Sequence, residues 1–220
     1  LPDGFNHLLY SLFGASMSDI AKAVQERVKG FRLGYVFSVD EFEQYGKTEV
    51  VYQELYRLTE QGVINSIQHG IYYKPEPNRM LKGRHLSPDV YEVVKVIAEK
   101  NGELIQVHGG MAANRLKLST QVPVMDVFYT SGNSREFEIG GTQVRLLHTK
   151  NSKFFQYPLG SRVGMAISAL LFLGKESVDL NIVKKLEKTL TSEEWILLYQ
   201  SSLPAWLHKL LDEQKTKFYF

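Results

Sequence analysis

The sequence predicts an α+β fold in two parts, of which the first covers about residues 18–76 and the second is mixed α/β and ends in helices. In the first part, apolar residues recur every three to four positions in successive segments, which is typical of amphipathic helices. Two short β-prone runs with a tight turn follow these segments. After Pro75 and Pro77, strand-like and helix-like runs alternate. A chain of 220 residues has room for two such domains.

The first two predicted helices have clear ends. The first covers residues 19–29 and stops at Gly30. Its predicted buried stripe is Ile20, Val24 and Val28. The second starts after Ser38, which forms a predicted capping box with Glu41, and ends by Gly46. A β-prone run at residues 35–37 precedes it.

The third predicted helix is capped by Thr48 and runs to Gln61. Its predicted buried stripe is Val51, Leu55 and Leu58. Residues 64–73 read strand, tight turn, strand, which predicts a β-hairpin. Three helices followed by a hairpin, with a glycine in the turn between the second and third helices, predict a winged helix-turn-helix over residues 18–76.

The second part is predicted to begin after a linker at residues 77–86, which is rich in proline and basic residues. Ser87 and Pro88 are expected to start its first helix. Short strands are expected up to about His148, and the chain is expected to be helical from Arg162 onward. Residues 87–220 are therefore predicted to form one mixed α/β domain.

The N-terminal segment, residues 1–17, is apolar and lacks the basic start of a secretory signal. Met17 and Ser18 open the first amphipathic helix. We therefore expect Met17 to be the native start, with the residues before it foreign to the protein. The alternative is a short native extension that packs on the body.

Composition limits the function classes. The chain has no cysteine, which excludes disulfides and thiolate chemistry and fits a reducing cytosol. No apolar run approaches the roughly 20 residues of a membrane helix. Net charge is +2, yet basic residues outnumber acidic ones between residues 78 and 162. This excess fits either a polyanionic partner or a solvated basic surface.

A winged helix places its third helix in the major groove of double-stranded DNA and its wing on the backbone or minor groove. Gln53 has the amide geometry that pairs with adenine, and Lys47 and Thr48 lie where a helix start favours phosphate. His69 lies at the predicted wing tip. The predicted DNA-binding residues are Lys47, Thr48, Tyr52, Gln53, Tyr56, Arg57 and His69.

An alternative interpretation is a protein-binding winged helix. Glu49, Glu54 and Glu60 make the third helix acidic, whereas phosphate contacts supply much of the affinity of DNA readers. The acidic surface therefore leaves a protein partner open as the alternative to DNA.

Signals for catalysis are weak. The histidines form no close pair with carboxylate support, and no phosphate-binding loop is present, so we expect no metal, no cofactor and no enzyme activity. His108-Gly109-Gly110 is similar to the oxyanion turn of lipases, but no G-x-S-x-G elbow accompanies it. Glu136 and Glu138 share one face of a predicted strand, which is more typical of a solvated face than of a catalytic pair.

The run GGMAANRLKLSTQVP at residues 109–123 resembles the G-x-x-A-A-N-x-L-x-L-S-T-Q-V-P signature of AbiEi-type antitoxins. The likeness continues through VFYTSG at residues 127–132 and SR at 134–135, and also includes IGG at 139–141, LGK at 173–175 and PAW at 204–206. It extends over residues 18–209 and includes the positions of the predicted winged helix.

This resemblance implies a bacterial, cytoplasmic antitoxin of a type IV toxin–antitoxin system, which acts in abortive infection. Such a protein represses its own operon through the winged helix, which here would bind repeated half-sites of the operator. Its C-terminal domain counteracts a nucleotidyltransferase-like toxin, and the two proteins need not form a stable complex. Some relatives are stand-alone transcriptional regulators.

The central run is predicted to contribute Leu116, Leu118, Val122 and Val124 to the core. Its polar members either contact the partner or satisfy backbone groups around a turn. The predicted antitoxin or anion contacts are Arg115, Lys117, Ser119, Thr120, Gln121 and Arg135.

Overall fold

The computed structural model of the protein describes residues 16–216. All but the last two residues of the predicted foreign or extension segment, residues 1–17, lie outside the described residues. The chain divides into two compact units, unit 1 up to Asn101 and unit 2 from Gly102. The described residues contain helices and two small sheets, so the mixed α+β class is confirmed.

The described part of unit 1 starts with helix α1, and its three-stranded antiparallel sheet has the order β1-β3-β2. Tyr72 of the central strand pairs with Phe37 on one side and Ser66 on the other. The described elements of unit 1 are α1 Met17–Gly30, β1 Val36–Ser38, a 3-10 helix Val39–Tyr45, α2 Thr48–Glu60, β2 Asn65–Gln68, β3 Ile71–Tyr73 and α3 Val90–Asn101. The predicted third helix is thus α2.

The core of unit 1 lies between α1, α2 and the sheet. Val24, Phe37, Phe42, Leu55 and Ile64 are fully buried in it. Each such side chain contributes about 1.5–3 kcal/mol relative to exposure. The predicted stripes of both helices are buried, so the apolar periodicity identified the inward faces correctly.

The capping predicted for the middle segment is confirmed for Ser38 and wrong for Glu41 and Thr48. The Ser38 hydroxyl accepts the amide proton of Asp40, while the Glu41 carboxylate accepts the Tyr35 hydroxyl proton instead of returning to the helix start. Lys47, not Thr48, occupies the cap position of α2, and no side chain caps that helix. Helix α1, by contrast, is capped by Ser16 and Asp19.

The structure divides the chain later than the sequence predicts. Helix α3 packs on β1 in unit 1, and the Lys100 ammonium lies 3.0 Å from the Asp40 carboxylate. Asp89 accepts the amide protons of Tyr91 and Glu92 at the helix start. The predicted linker at residues 77–86 is closed by a β-bridge between its ends. The boundary therefore falls after α3.

Unit 2 contains a four-stranded mixed sheet with the order β4-β5-β7-β6, in which β5 and β7 are parallel. Its elements are β4 Ile105–Val107, α4 Gly109–Arg115, β5 Asp126–Thr130, β6 Arg135–Ile139, β7 Thr142–His148, a 3-10 helix Ser152–Phe155, α5 Arg162–Leu173, α6 Leu180–Thr189, α7 Ser192–Gln200 and α8 Ala205–Thr216. Thr191 and Glu194 form the predicted capping box of α7.

Helix α5 is the centre of unit 2. Close packing between α4 and α5 depends on Gly109, where a Cβ would lie 2.5 Å from the Ser168 carbonyl oxygen and 2.1 Å from the Phe172 Cβ. Gln106 of β4 is fully buried, and its side-chain amide donates to the Tyr157 carbonyl at 3.1 Å. Gly109 is thus required for the close packing of α4 on α5.

Candidate functional site

The exposed face of α2 and the tip of the β2–β3 hairpin form one continuous surface. The Tyr52 and His69 rings stack with centroids 5.2 Å apart and planes 13° apart. Gly70 has φ +73°, and a Cβ there would lie 3.0 Å from the Tyr52 hydroxyl oxygen. The hairpin tip therefore packs directly on the first half of α2.

The predicted DNA-binding residues lie largely on this surface. Lys47, Thr48 and Gln53 are exposed, and Tyr56 is 66% exposed. Tyr52 is half-buried because its ring contacts His69. These side chains present hydroxyl, amide and ammonium groups to solvent.

Glu54 and Arg57 bind each other, although the sequence predicted an acidic Glu54 on the surface of the helix and an Arg57 that contacts DNA. Glu54 is only 6% exposed and accepts from Arg57 Nη2 at 2.7 Å, Arg57 Nε at 3.0 Å and Gln25 Nε2 at 2.9 Å. This carboxylate raises the pKa of the Arg57 guanidinium. Glu54 consequently adds less negative charge to the outer face of α2 than the sequence suggests, and Arg57 already has an anionic partner.

The predicted anion contact Arg135 is also engaged. Its Nη2 donates to Glu103 Oε2 at 2.9 Å, and the Thr130 hydroxyl donates to the same oxygen at 2.8 Å. Arg135 is predominantly buried, with 29% of its side chain exposed. It holds the start of β6 against the chain before β4, so its contact with Glu103 is structural.

The motif loop, residues 117–125, presents apolar side chains to solvent. Val122 is 80% exposed and Val124 is fully exposed, so their predicted places in the core are wrong. Leu116 and Leu118 are buried as predicted. The difference arises because β5 begins only at Asp126, which leaves the two valines in a loop rather than on a packed strand.

Polar residues of the signature hold the motif loop in place. The Asn114 side-chain amide donates to the Gln121 carbonyl at 2.8 Å, and the Ser119 hydroxyl accepts the Gln121 amide proton at 3.2 Å. Lys117 has φ +57°, a conformation that costs energy for a residue with a Cβ. Asn114 and Ser119 thus satisfy backbone groups, whereas the Thr120 and Gln121 residues are exposed.

His108 has a structural position at the start of α4. Its Nδ1 accepts the Gly110 amide proton at 3.2 Å. The ring lies 4.8 Å from the Tyr129 ring and 5.0 Å from the Phe172 ring, and burial lowers the pKa of His108. A neutral imidazole is the form that caps this helix.

Comparison with known proteins places the chain in a family. Residues 23–196 match DUF6088, a family of unknown function. The chain belongs to the DUF6088 family. No curated protein and no solved structure matches it. The DUF6088 match covers α2, the hairpin and the motif loop, and it assigns no activity to them.

Two further properties of this DUF6088 member concern the described residues alone. Within residues 16–216, no three histidine, aspartate or glutamate side chains cluster as metal ligands would. No helix in that range combines the length and apolar character needed to cross a membrane.

The predicted linker contains an ordered turn that the sequence-based prediction did not include. Asn78 accepts the amide protons of Met80 and Leu81, a turn that asparagine favours. The Asn78 residue between Pro77 and Arg79 was the signal that could have indicated an ordered turn. The resulting loop lies in the part of the sequence, residues 78–162, in which basic residues outnumber acidic ones.

Proposed function

We propose that this protein is a DNA-binding antitoxin that represses its own operon in a type IV toxin–antitoxin system. Unit 1 would bind repeated half-sites of the operator, and unit 2 would counteract a nucleotidyltransferase-like toxin without covalent chemistry of its own. The resemblance of residues 109–123 to AbiEi-type antitoxins supports the system. The geometry of unit 1 supports the DNA partner.

Unit 1 has the element order of a winged helix. One helix and one strand precede two further helices and a hairpin, and the first strand pairs with the last. On this interpretation α2 enters the major groove and the β2–β3 hairpin contacts the backbone or minor groove. The 3-10 helix Val39–Tyr45 takes the place of the second helix.

The observation that carries the proposal is the stack of Tyr52 on His69. It fixes the hairpin tip beside the first half of α2, so both elements can meet one duplex together without reorganisation. Gln53 and Lys47 are exposed next to this contact. The inward Glu54 removes one of the three carboxylates that opposed a DNA partner.

The motif loop supports an antitoxin role for unit 2. Two largely exposed valines, Val122 and Val124, lie on a loop held by Asn114 and Ser119, and they are costly to keep unless a partner covers them. Lys117 begins the loop and Arg115 lies two residues before it; both are exposed and suit an anionic rim on that partner.

A gel-shift titration tests the DNA proposal. The full chain is titrated against DNA from upstream of its own gene and against unrelated DNA of equal length at 0.15 M salt. We expect clear preference for the upstream DNA and more than one shifted species, because half-sites are repeated. Equal affinity for both duplexes would remove the autorepressor.

A protein-binding role for unit 1 is the second candidate, and one observation favours it. Tyr56 exposes 66% of its surface on α2 between Glu49 and Glu60, both of which are exposed. An aromatic residue with an acidic rim is typical of protein interfaces. DNA binding weakens steeply with salt, whereas an apolar protein interface does not, so the salt dependence of the captured complex separates the two.

A further inference from the structure

The segment at residues 77–86, here called the basic loop, is a closed hairpin-like loop. Its ends are joined by the bridge between Pro77 and His85. The Asn78 amide donates to the Arg84 carbonyl at 2.8 Å, and the Asn78 side chain accepts two amide protons within the loop at 2.9 and 3.0 Å. Leu86 N donates to the Glu76 carbonyl at 2.8 Å just outside the bridge. The loop is thus held by its own backbone.

The basic loop carries charge of one sign and an apolar tip. Its cations are Arg79, Lys82 and Arg84, all exposed. No aspartate or glutamate occurs between residues 77 and 88. Met80 is 92% exposed and Leu81 is 52% exposed. A loop with this chemistry has positive charge around a flexible hydrophobic side chain.

Several other described cations form ion pairs within the protein, whereas Arg79, Lys82 and Arg84 do not. Arg57, Arg135 and Arg145 each form an ion pair with a glutamate at 2.6–2.9 Å. Within residues 16–216, no ion pair involves a side chain of the basic loop. The charge of the loop is therefore available to an external anion.

The loop continues directly from the hairpin proposed to contact DNA. Strand β3 starts next to Gly70 at the hairpin tip. Beyond that strand, the Lys74 amide donates to the Tyr35 carbonyl at 2.9 Å and the Lys74 carbonyl accepts from the Gly34 amide at 2.7 Å. The seven residue steps from Gly70 to Pro77 span at most about 23 Å. That distance equals about seven base pairs of duplex, so one DNA molecule is long enough to reach both elements.

We propose that the basic loop is a second DNA-contacting element of unit 1. Arg79, Lys82 and Arg84 neutralise backbone phosphates, and Met80 enters the minor groove as an apolar wedge between base pairs. The partner is DNA rather than an acidic protein because the charges are all of one sign and surround an apolar tip that can unstack bases. This proposal rests on the proposed function of unit 1.

Salt dependence on a mixed-sequence duplex of about 30 base pairs tests the phosphate contacts. The variant changes all three loop cations to glutamine in the full chain. Three lost phosphate contacts should lower the slope of log K against log salt by about 2–3 units and weaken binding roughly 100-fold at 0.15 M salt. A matched control changes Lys184, Lys185 and Lys188 of α6, all exposed, to glutamine and lowers the net charge equally. We expect its slope to change by less than about one unit.

The wedge is tested on the same duplex with Met80→Ala and Met80→Leu. Loss of the buried side chain should weaken binding about tenfold or more in the alanine variant, and reduce DNA bending measured by end-to-end fluorescence transfer. The leucine variant should remain within about threefold of the wild type, because it keeps the apolar volume. Equal binding and bending by both variants and the wild type would refute the wedge.

The outcomes separate this proposal from the autorepressor proposal. Equal slope losses in the loop variant and the α6 control would overturn the basic loop as a contact, as would failure of the wild type to bind the duplex. A wild-type slope in the loop variant, together with preference for upstream DNA, would overturn the loop alone. A lower slope without sequence preference would support the loop and overturn the autorepressor.

Discussion

The inward Glu54 leads to a prediction with opposite effects on stability and on DNA binding. Glu54→Gln keeps the side-chain shape but removes the charge that holds Arg57 and Gln25 at 2.7–3.0 Å. Hydrogen bonds to charged groups contribute about 1.5–3 kcal/mol when buried. Arg57 exposes 51% of its side chain, so water replaces much of what it loses. We expect unit 1 to lose about 1 kcal/mol of stability.

The same substitution releases Arg57 toward DNA. One additional phosphate contact should steepen the salt slope by about 0.9 unit and tighten binding about fivefold at 0.15 M salt. Hydrogen exchange of the α2 amides measures the stability change, with about fivefold faster exchange expected for 1 kcal/mol. Fluorescence anisotropy with a labelled duplex measures the affinity.

Arg57→Ala is the matched variant. It leaves the buried Glu54 carboxylate without its cation, so α2 should exchange faster than in Glu54→Gln, and DNA binding should not tighten. Unchanged exchange in Glu54→Gln, or tighter binding in Arg57→Ala, would refute the reasoning from burial.

Three further predictions concern unit 2, whose two tryptophans report its unfolding by fluorescence. Burial lowers the pKa of His108, so the unfolded state binds more protons and the urea midpoint should fall as pH drops below about 6.5. His108→Asn should remove part of that pH dependence. An unchanged dependence of the urea midpoint on pH would contradict a neutral His108 cap on α4. Gly109→Ala should lower the stability of unit 2 by about 2–3 kcal/mol, because its Cβ would lie 2.5 Å from the α5 backbone. Gly110→Ala, whose nearest contact would be at 3.4 Å, should lower it by less than about 1 kcal/mol. Equal urea midpoints for the two variants would contradict the close packing of α4 on α5 at Gly109. Val122→Asp and Val124→Asp should leave the midpoint unchanged but abolish protection from the cognate toxin in co-expression, and full protection would contradict the motif loop as the contact.

The sequence predicted those parts of the fold that depend on local periodicity. The stripe of Val51, Leu55 and Leu58 is buried because a helix repeats every 3.6 residues whatever surrounds it. The hairpin at residues 65–73 follows from its glycine turn at Gly70. These signals need no knowledge of distant residues.

Predictions that depend on a tertiary contact were wrong in several places. Glu41 left the expected capping box because the Tyr35 hydroxyl competes for its carboxylate. Val122 and Val124 look like strand residues, yet the sheet begins after them. The choice between strand and loop depends on which neighbour covers an apolar run, and that is a tertiary property.

The same distinction applies to the candidate sites. The pairing of Arg57 with Glu54 follows helical spacing and could have been predicted. The pairing of Arg135 with Glu103 joins residues far apart in the sequence and could not. A cation therefore becomes a candidate contact only after its internal partners are known.

Selection of bound sequences from a random duplex pool tests the central claim most directly. Wild-type protein, Gln53→Ala and the control Gln61→Ala, an exposed residue just beyond α2, are compared under equal salt. If α2 reads base edges, the wild type and Gln61→Ala enrich one common motif, and Gln53→Ala loses preference at one adenine, with a discrimination of about 1–3 kcal/mol. The same motif from all three proteins, or no motif from the wild type, would contradict base recognition through Gln53 of α2.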